Sequence, residues 1–99
     1  MNTRKVIAGM QFYITGEEYV FFNFNDTMQP AEIDVGTWIR SNSQILILKD
    51  AVTCALKNAK PAYSHFKMCW CLITTDNGKT FTGFLSEYVF ENSNRSVSL

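Results

Sequence analysis

Phe66-Lys-Met-Cys-Trp-Cys-Leu-Ile-Thr-Thr-Asp-Asn-Gly-Lys-Thr-Phe-Thr-Gly-Phe-Leu85 is the stretch that decides the fold. Two runs rich in β-branched and aromatic residues flank Asn77-Gly78, a dipeptide suited to the positive-φ positions of a tight turn. The pattern predicts a β-hairpin and hence a sheet. By alternation, Phe66, Met68, Trp70 and Leu72 share one face of the first strand, and Cys69, Cys71 and Ile73 share the other. On the return strand Phe81, Gly83 and Leu85 oppose Thr80, Thr82 and Phe84.

Upstream, Lys5 to Thr15 also alternates, with Val6, Ala8, Met10, Phe12 and Ile14 on one face. Thr15-Gly16-Glu17-Glu18 reads as a turn, and Tyr19 to Phe24 as a second strand, so these two strands are expected to pair as a first hairpin. Ala31 to Arg40 is expected to be extended, the alternative being a short helix opened by Pro30. Ser41 with Gln44 fits a capping box. Ile45, Leu48, Val52, Ala55, Leu56 and Ala59 then recur at helical spacing until Pro61. A helix is expected there, the alternative being a strand over 44–48 with the helix starting at Asp50. Residues 86–91 continue the strand or form a helical turn, and 1–4 and 92–99 read as flexible tails.

The expected fold is therefore α+β, in one domain: a mainly antiparallel sheet of four or five strands with one principal helix packed on it, in the order hairpin, extended segment, helix, hairpin. A chain of 99 residues buries roughly 65% of its unfolded surface, enough for one core. The sheet raises a difficulty. Four or five strands are about 20 Å wide, whereas a helix is roughly 10 Å across. One helix cannot cover two apolar faces. The second face must be covered by residues 31–40, by the sheet curling into a partial barrel, or by another protein, including a second copy.

Function is less legible. Formal net charge is zero, which removes a global attraction to phosphate backbones. The charge is nonetheless divided. Glu17, Glu18, Asp26, Glu32 and Asp34 fall in a stretch with no base, while Arg40 to Lys79 holds six bases and two acids. Such a dipole can orient a partner. No run approaches the ~20 apolar residues of a membrane helix. The apolar stretch from Val6 is broken by Gly9 and Gln11 and is too short for a secretory signal core. The cytoplasm is therefore the expected location, with three free thiols.

Catalytic constellations are weak. His65 and Cys69 lie about 13 Å apart on an extended strand, too far for a dyad. Cys54, His65, Cys69 and Cys71 could supply four zinc ligands, but Cys69-Trp70-Cys71 lacks the usual two-residue gap; buried filling by small thiols is the commoner role. The carboxylate pairs Glu17-Glu18, Glu32/Asp34 and Glu87/Glu91 stand beside no second catalytic group, and the five glycines form no phosphate loop. Neither enzyme activity nor a cofactor is expected.

What remains is protein–protein interaction: a small binder, inhibitor or accessory subunit that self-associates through a sheet face or edge. Small neutral domains of this kind occur among accessory proteins of phages and mobile elements. The candidate contact residues are Tyr13, Tyr19, Phe21, Trp38 and Tyr88. The alternative is a single-stranded nucleic-acid-binding domain that stacks bases on sheet aromatics and uses Lys57, Lys60 and Lys67.

Overall fold

The computed structural model describes residues 5–22, 36–55 and 65–99, with backbone alone at 54, 55, 65 and 66. Its strands are β1 (Gln11–Ile14), β2 (Glu18–Phe21), β3 (Gly36–Ile39), β4 (Gln44–Ala55), β5 (His65–Thr74), β6 (Thr80–Ser86) and β7 (Ser96–Ser98), with one short helix, α1 (Glu87–Glu91). They form a single antiparallel sheet in the order β3-β2-β6-β5-β4-β1-β7.

The expected α+β fold is thus corrected: seven strands replace four or five, and the principal helix is absent among the described residues. The segment beginning at Gln44 is a strand of 12 residues paired with β5 from Gln44↔Thr74 to Ala55↔His65. Its register shifts between Ile47 and Lys49 and again between Lys49 and Val52. Each irregularity resets the period-two alternation, so apolar residues of both faces fall into a spurious 3.6 spacing. Of that supposed helical stripe Ile45 is buried, whereas Leu48 and Val52 are exposed.

The central hairpin forms. β5 ends at Thr74 and β6 starts at Thr80, with Gly78 at φ 88°. The turn is longer than a two-residue one: Thr75 N donates to Lys79 O at 2.8 Å, and Gly78 N to Thr75 O at 3.0 Å. The first hairpin does not form. β1 and β2 lie four places apart in the sheet.

That separation dictates the shape. In a flat sheet β1 and β2 would stand about 19 Å apart, yet the three residues between Ile14 and Glu18 span at most ~14 Å. Residues 40–43 likewise join β3 to β4, also four places apart, through a turn in which Ser43 N donates to Arg40 O at 3.2 Å. Only a curled sheet satisfies both links, and the sheet is a half-barrel.

Curling answers the covering problem for one face. The concave side holds Phe12, Ile14, Val20, Ile39, Ile45, Ile47, Cys69, Cys71, Ile73 and Leu85 in one core. Val89 and Phe90 of α1 close it, with the Phe90 ring 4.8 Å from that of Phe12. Ser86 caps the helix, its hydroxyl accepting from Tyr88 N at 3.3 Å.

The C-terminal stretch, expected to fray, carries β7, which pairs with β1 from Phe12↔Ser98 to Ile14↔Ser96. Just before it, Arg95 Nε donates to Glu18 Oε2 at 3.0 Å and Nη2 reaches Glu18 Oε1. Thr15 N and Oγ1 donate to Arg95 O (2.9 Å) and Asn94 O (2.8 Å). The β1–β2 corner is thereby tied to the segment that enters β7.

Candidate functional site

The convex face of the half-barrel carries a row of aromatic side chains across four strands. It starts on the sheet's outer strand, β3, where Trp38 is 65% exposed. Trp38 is the register partner of Tyr19 on β2, and their ring centroids stand 5.2 Å apart at 72°. Tyr19 meets Phe21 at 5.1 Å and 76°. Phe21 pairs with Phe84 on β6, and the Phe84 ring lies 5.0 Å from Trp70 on β5. Phe84 and Met68 are buried in this second, smaller cluster, with Phe21 and Trp70 packed against them.

Glycine makes the start of the row possible. A Cβ on Gly36 would lie 2.8 Å from the Tyr19 ring and would overlap Val20 O. With no side chain there, Tyr19 leans across β3 toward Trp38. β3 itself reads Gly-Thr-Trp-Ile, without a charge or proline to guard its outer edge. Among the described residues only β2 pairs with it.

Three of the five residues singled out from sequence, Tyr19, Phe21 and Trp38, therefore come together. Tyr13 and Tyr88 stand elsewhere. Tyr13 lies on β1, where its hydroxyl accepts from Gln44 Nε2 at 3.2 Å. Tyr88 lies on α1, 55% exposed, with the Arg95 guanidinium 5.1 Å from its ring centroid. Sequence reasoning left out Trp70 and Phe84. The signal was present in the hairpin register, which sets Trp70 opposite Phe84.

Of the three residues named for nucleic-acid binding, only Lys67 is among the described residues. Lys57 and Lys60 lie outside the described residues. Lys67 shares its face of β5 with Cys69, by alternation, and its charge acts on Glu87 of α1. Moreover, the Trp38, Tyr19 and Phe21 rings stand edge to face against one another, so they do not form a continuous platform for a run of stacked bases.

Of the four zinc candidates, Cys54 and His65 have side chains outside the described set. Cys69 and Cys71 are fully buried free thiols, with Cys71 Sγ donating to Cys69 O at 3.3 Å. Burial, reinforced by the charges of Glu87, Glu91 and Asp50, pushes the Cys69 thiol up to about 12. Burial and the neighbouring Cys69 push Cys71 well above the usual range, against a backbone hydrogen bond from Leu85. These thiols are poor nucleophiles and poor ligands. Among the described residues no group of three or more His, Cys, Asp or Glu side chains could hold a metal, and no helix is long and apolar enough to cross a membrane.

Comparison of the chain with protein-family models, with curated proteins and with solved structures finds no match.

Proposed function

We propose that this protein is a non-catalytic binding module that pairs with a second copy of itself through the outer edge of β3 and the aromatic row beside it. The observation that carries the proposal is Trp38, a large apolar side chain left 65% exposed on an uncharged edge strand. An edge strand offers alternating N–H and C=O groups, which an antiparallel copy of the same strand complements about a two-fold axis. Pairing β3 with its copy joins the two aromatic rows into one.

The magnitude favours a reversible complex. Covering the open part of Trp38 removes roughly 150 Å² of apolar surface, or roughly 4 kcal/mol per protomer. Two such contributions, with a few edge hydrogen bonds, exceed the lower range of association costs, about 4–15 kcal/mol, by a modest margin. A dissociation constant of roughly 1–100 μM follows. A cytoplasmic setting belongs to the same proposal and is supported by the free thiols at Cys69 and Cys71.

The test is sedimentation velocity over a concentration series, with Trp38→Asp as the comparison. The substitution places a charge on the edge without disturbing the core, so the variant is expected to keep its melting temperature and remain monomeric. A native chain that stays monomeric through the millimolar range contradicts the proposal.

A further inference from the structure

A cleft of about 310 Å³ opens between the end of β3 and the β5–β6 turn. Its walls carry Trp38, Arg40, Asp76, Asn77, Lys79 and Phe81. The turn side is a built structure. Besides its two backbone bonds, Lys79 N donates to Thr75 Oγ1 at 3.1 Å, and Thr75 Oγ1 also donates to Asn77 Oδ1. The backbone that carries Lys79 is therefore fixed within the turn.

The cleft is electrostatically unbalanced. Arg40 and Lys79 bring two cations against one carboxylate, Asp76, and among the described residues the only ion pair is Glu18 with Arg95. Trp38, 65% exposed, and Phe81 line the same cleft. A volume of about 310 Å³ matches the lower end of small-molecule sites. It suits one ring system with one acidic group.

We propose that this cleft binds a small planar anion of the nucleoside monophosphate class, its base on Trp38 and its phosphate between Arg40 and Lys79. A guanidinium pairs with phosphate through two parallel N–H···O bonds, and an ammonium adds a point charge. A terminal phosphate carries about −1.5 to −2 at neutral pH, which suits two cations better than a single carboxylate does. Stacking on the indole is expected to tighten a nucleotide about tenfold or more over bare phosphate.

The probes are AMP, adenosine and inorganic phosphate, titrated at low salt into protein dilute enough to be monomeric. Trp38 fluorescence is read in a Trp70→Phe background. Calorimetry on the unmodified chain repeats the measurement without that substitution. AMP is expected to quench saturably, with a dissociation constant of ~1 mM or tighter. Adenosine and phosphate each bind about tenfold or more weakly, and Arg40→Gln or Lys79→Gln each weaken AMP binding about tenfold. Absence of saturable AMP binding by both methods overturns the proposal. So does AMP binding that both variants leave unchanged, or phosphate alone binding as tightly as AMP. The base and a second copy would cover the same Trp38, so the titration is kept at monomeric concentration and self-association is decided separately by the sedimentation series.

Discussion

Replacing Arg95 with leucine removes the cation paired with a carboxylate that the fold has taken out of water. The Glu18 side chain is 7% exposed, while that of Arg95 is 36% exposed. Breaking a buried pair by removing one partner costs about 3–5 kcal/mol. Water reaches the guanidinium here, so screening reduces the figure to roughly 2–3 kcal/mol. Loss of the contact with the Tyr88 ring adds roughly 0.5 kcal/mol. For a domain of this size each kcal/mol moves the melting temperature by about 4–8 °C, so Arg95→Leu is expected to lower it by roughly 10–20 °C.

The complementary change is milder. Glu18→Gln leaves the unpaired charge on the half-exposed arginine, where water solvates it, and its cost is about 1 kcal/mol. The double variant Glu18→Gln/Arg95→Leu is expected to be more stable than Arg95→Leu alone, because the carboxylate charge stranded by the single change is then gone. Urea unfolding followed by tryptophan fluorescence reads all four proteins. If Glu18→Gln costs as much as Arg95→Leu, the stranded carboxylate is not the source of the loss and the reasoning fails.

Three further outcomes follow from the same structure. A Cβ on Gly83 would overlap Val20 Cγ1, so Gly83→Ala is expected to cost about 1–3 kcal/mol by overpacking, and Val20→Ala on top of it to recover part of that loss in a urea-unfolding cycle. Glu87 has its carboxyl raised by burial, by the hydrogen bond its protonated form donates to Glu91 and by the charge of Glu91, with Lys67 opposing. The folded state therefore holds that proton more tightly than the unfolded state. Glu87→Gln should be the more stable protein at neutral pH, by under ~1 kcal/mol because water reaches the group; the advantage disappears as pH falls through the raised folded value, and equal urea midpoints at neutral pH would contradict this. Finally, with Cys69 at about 12 and Cys71 well above its usual range, a Cys54→Ser protein should show no fast reaction with a disulfide reagent at pH 8 while folded, and two reactive thiols once unfolded; two fast thiols in the native protein would overturn the assignment.

How much of this was legible in the sequence depended on whether the signal was local. The β5–β6 hairpin was, because Gly78 marks the turn and the flanks alternate cleanly; even the Trp70–Phe84 contact was implicit in that register. The β1–β2 corner was not. Thr15-Gly16-Glu17 looks the same whether the chain folds back on its neighbour or crosses to a strand four places away, and only sheet order separates the two. β4 was hidden by its own irregularities, which break the alternation that identifies a strand. A similar limit applied to the site. Tyr19, Phe21 and Trp38 could be picked out from their strands, but that they meet while Tyr13 and Tyr88 stand apart depends on β3 pairing with β2. Arg40 and Lys79 are separated in the chain by two whole strands, β4 and β5, and nothing local announces that they face one cleft.

The central claim is that the β3 edge and its aromatic row meet a second copy. Light scattering coupled to size exclusion tests it most directly. The account predicts a mass that rises from 11.3 kDa toward twice that value as concentration passes through the micromolar range, and a Trp38→Asp variant that stays at the single-chain mass. A native protein fixed at 11.3 kDa up to millimolar concentration, or a Trp38→Asp variant that associates as readily as the native chain, would contradict it.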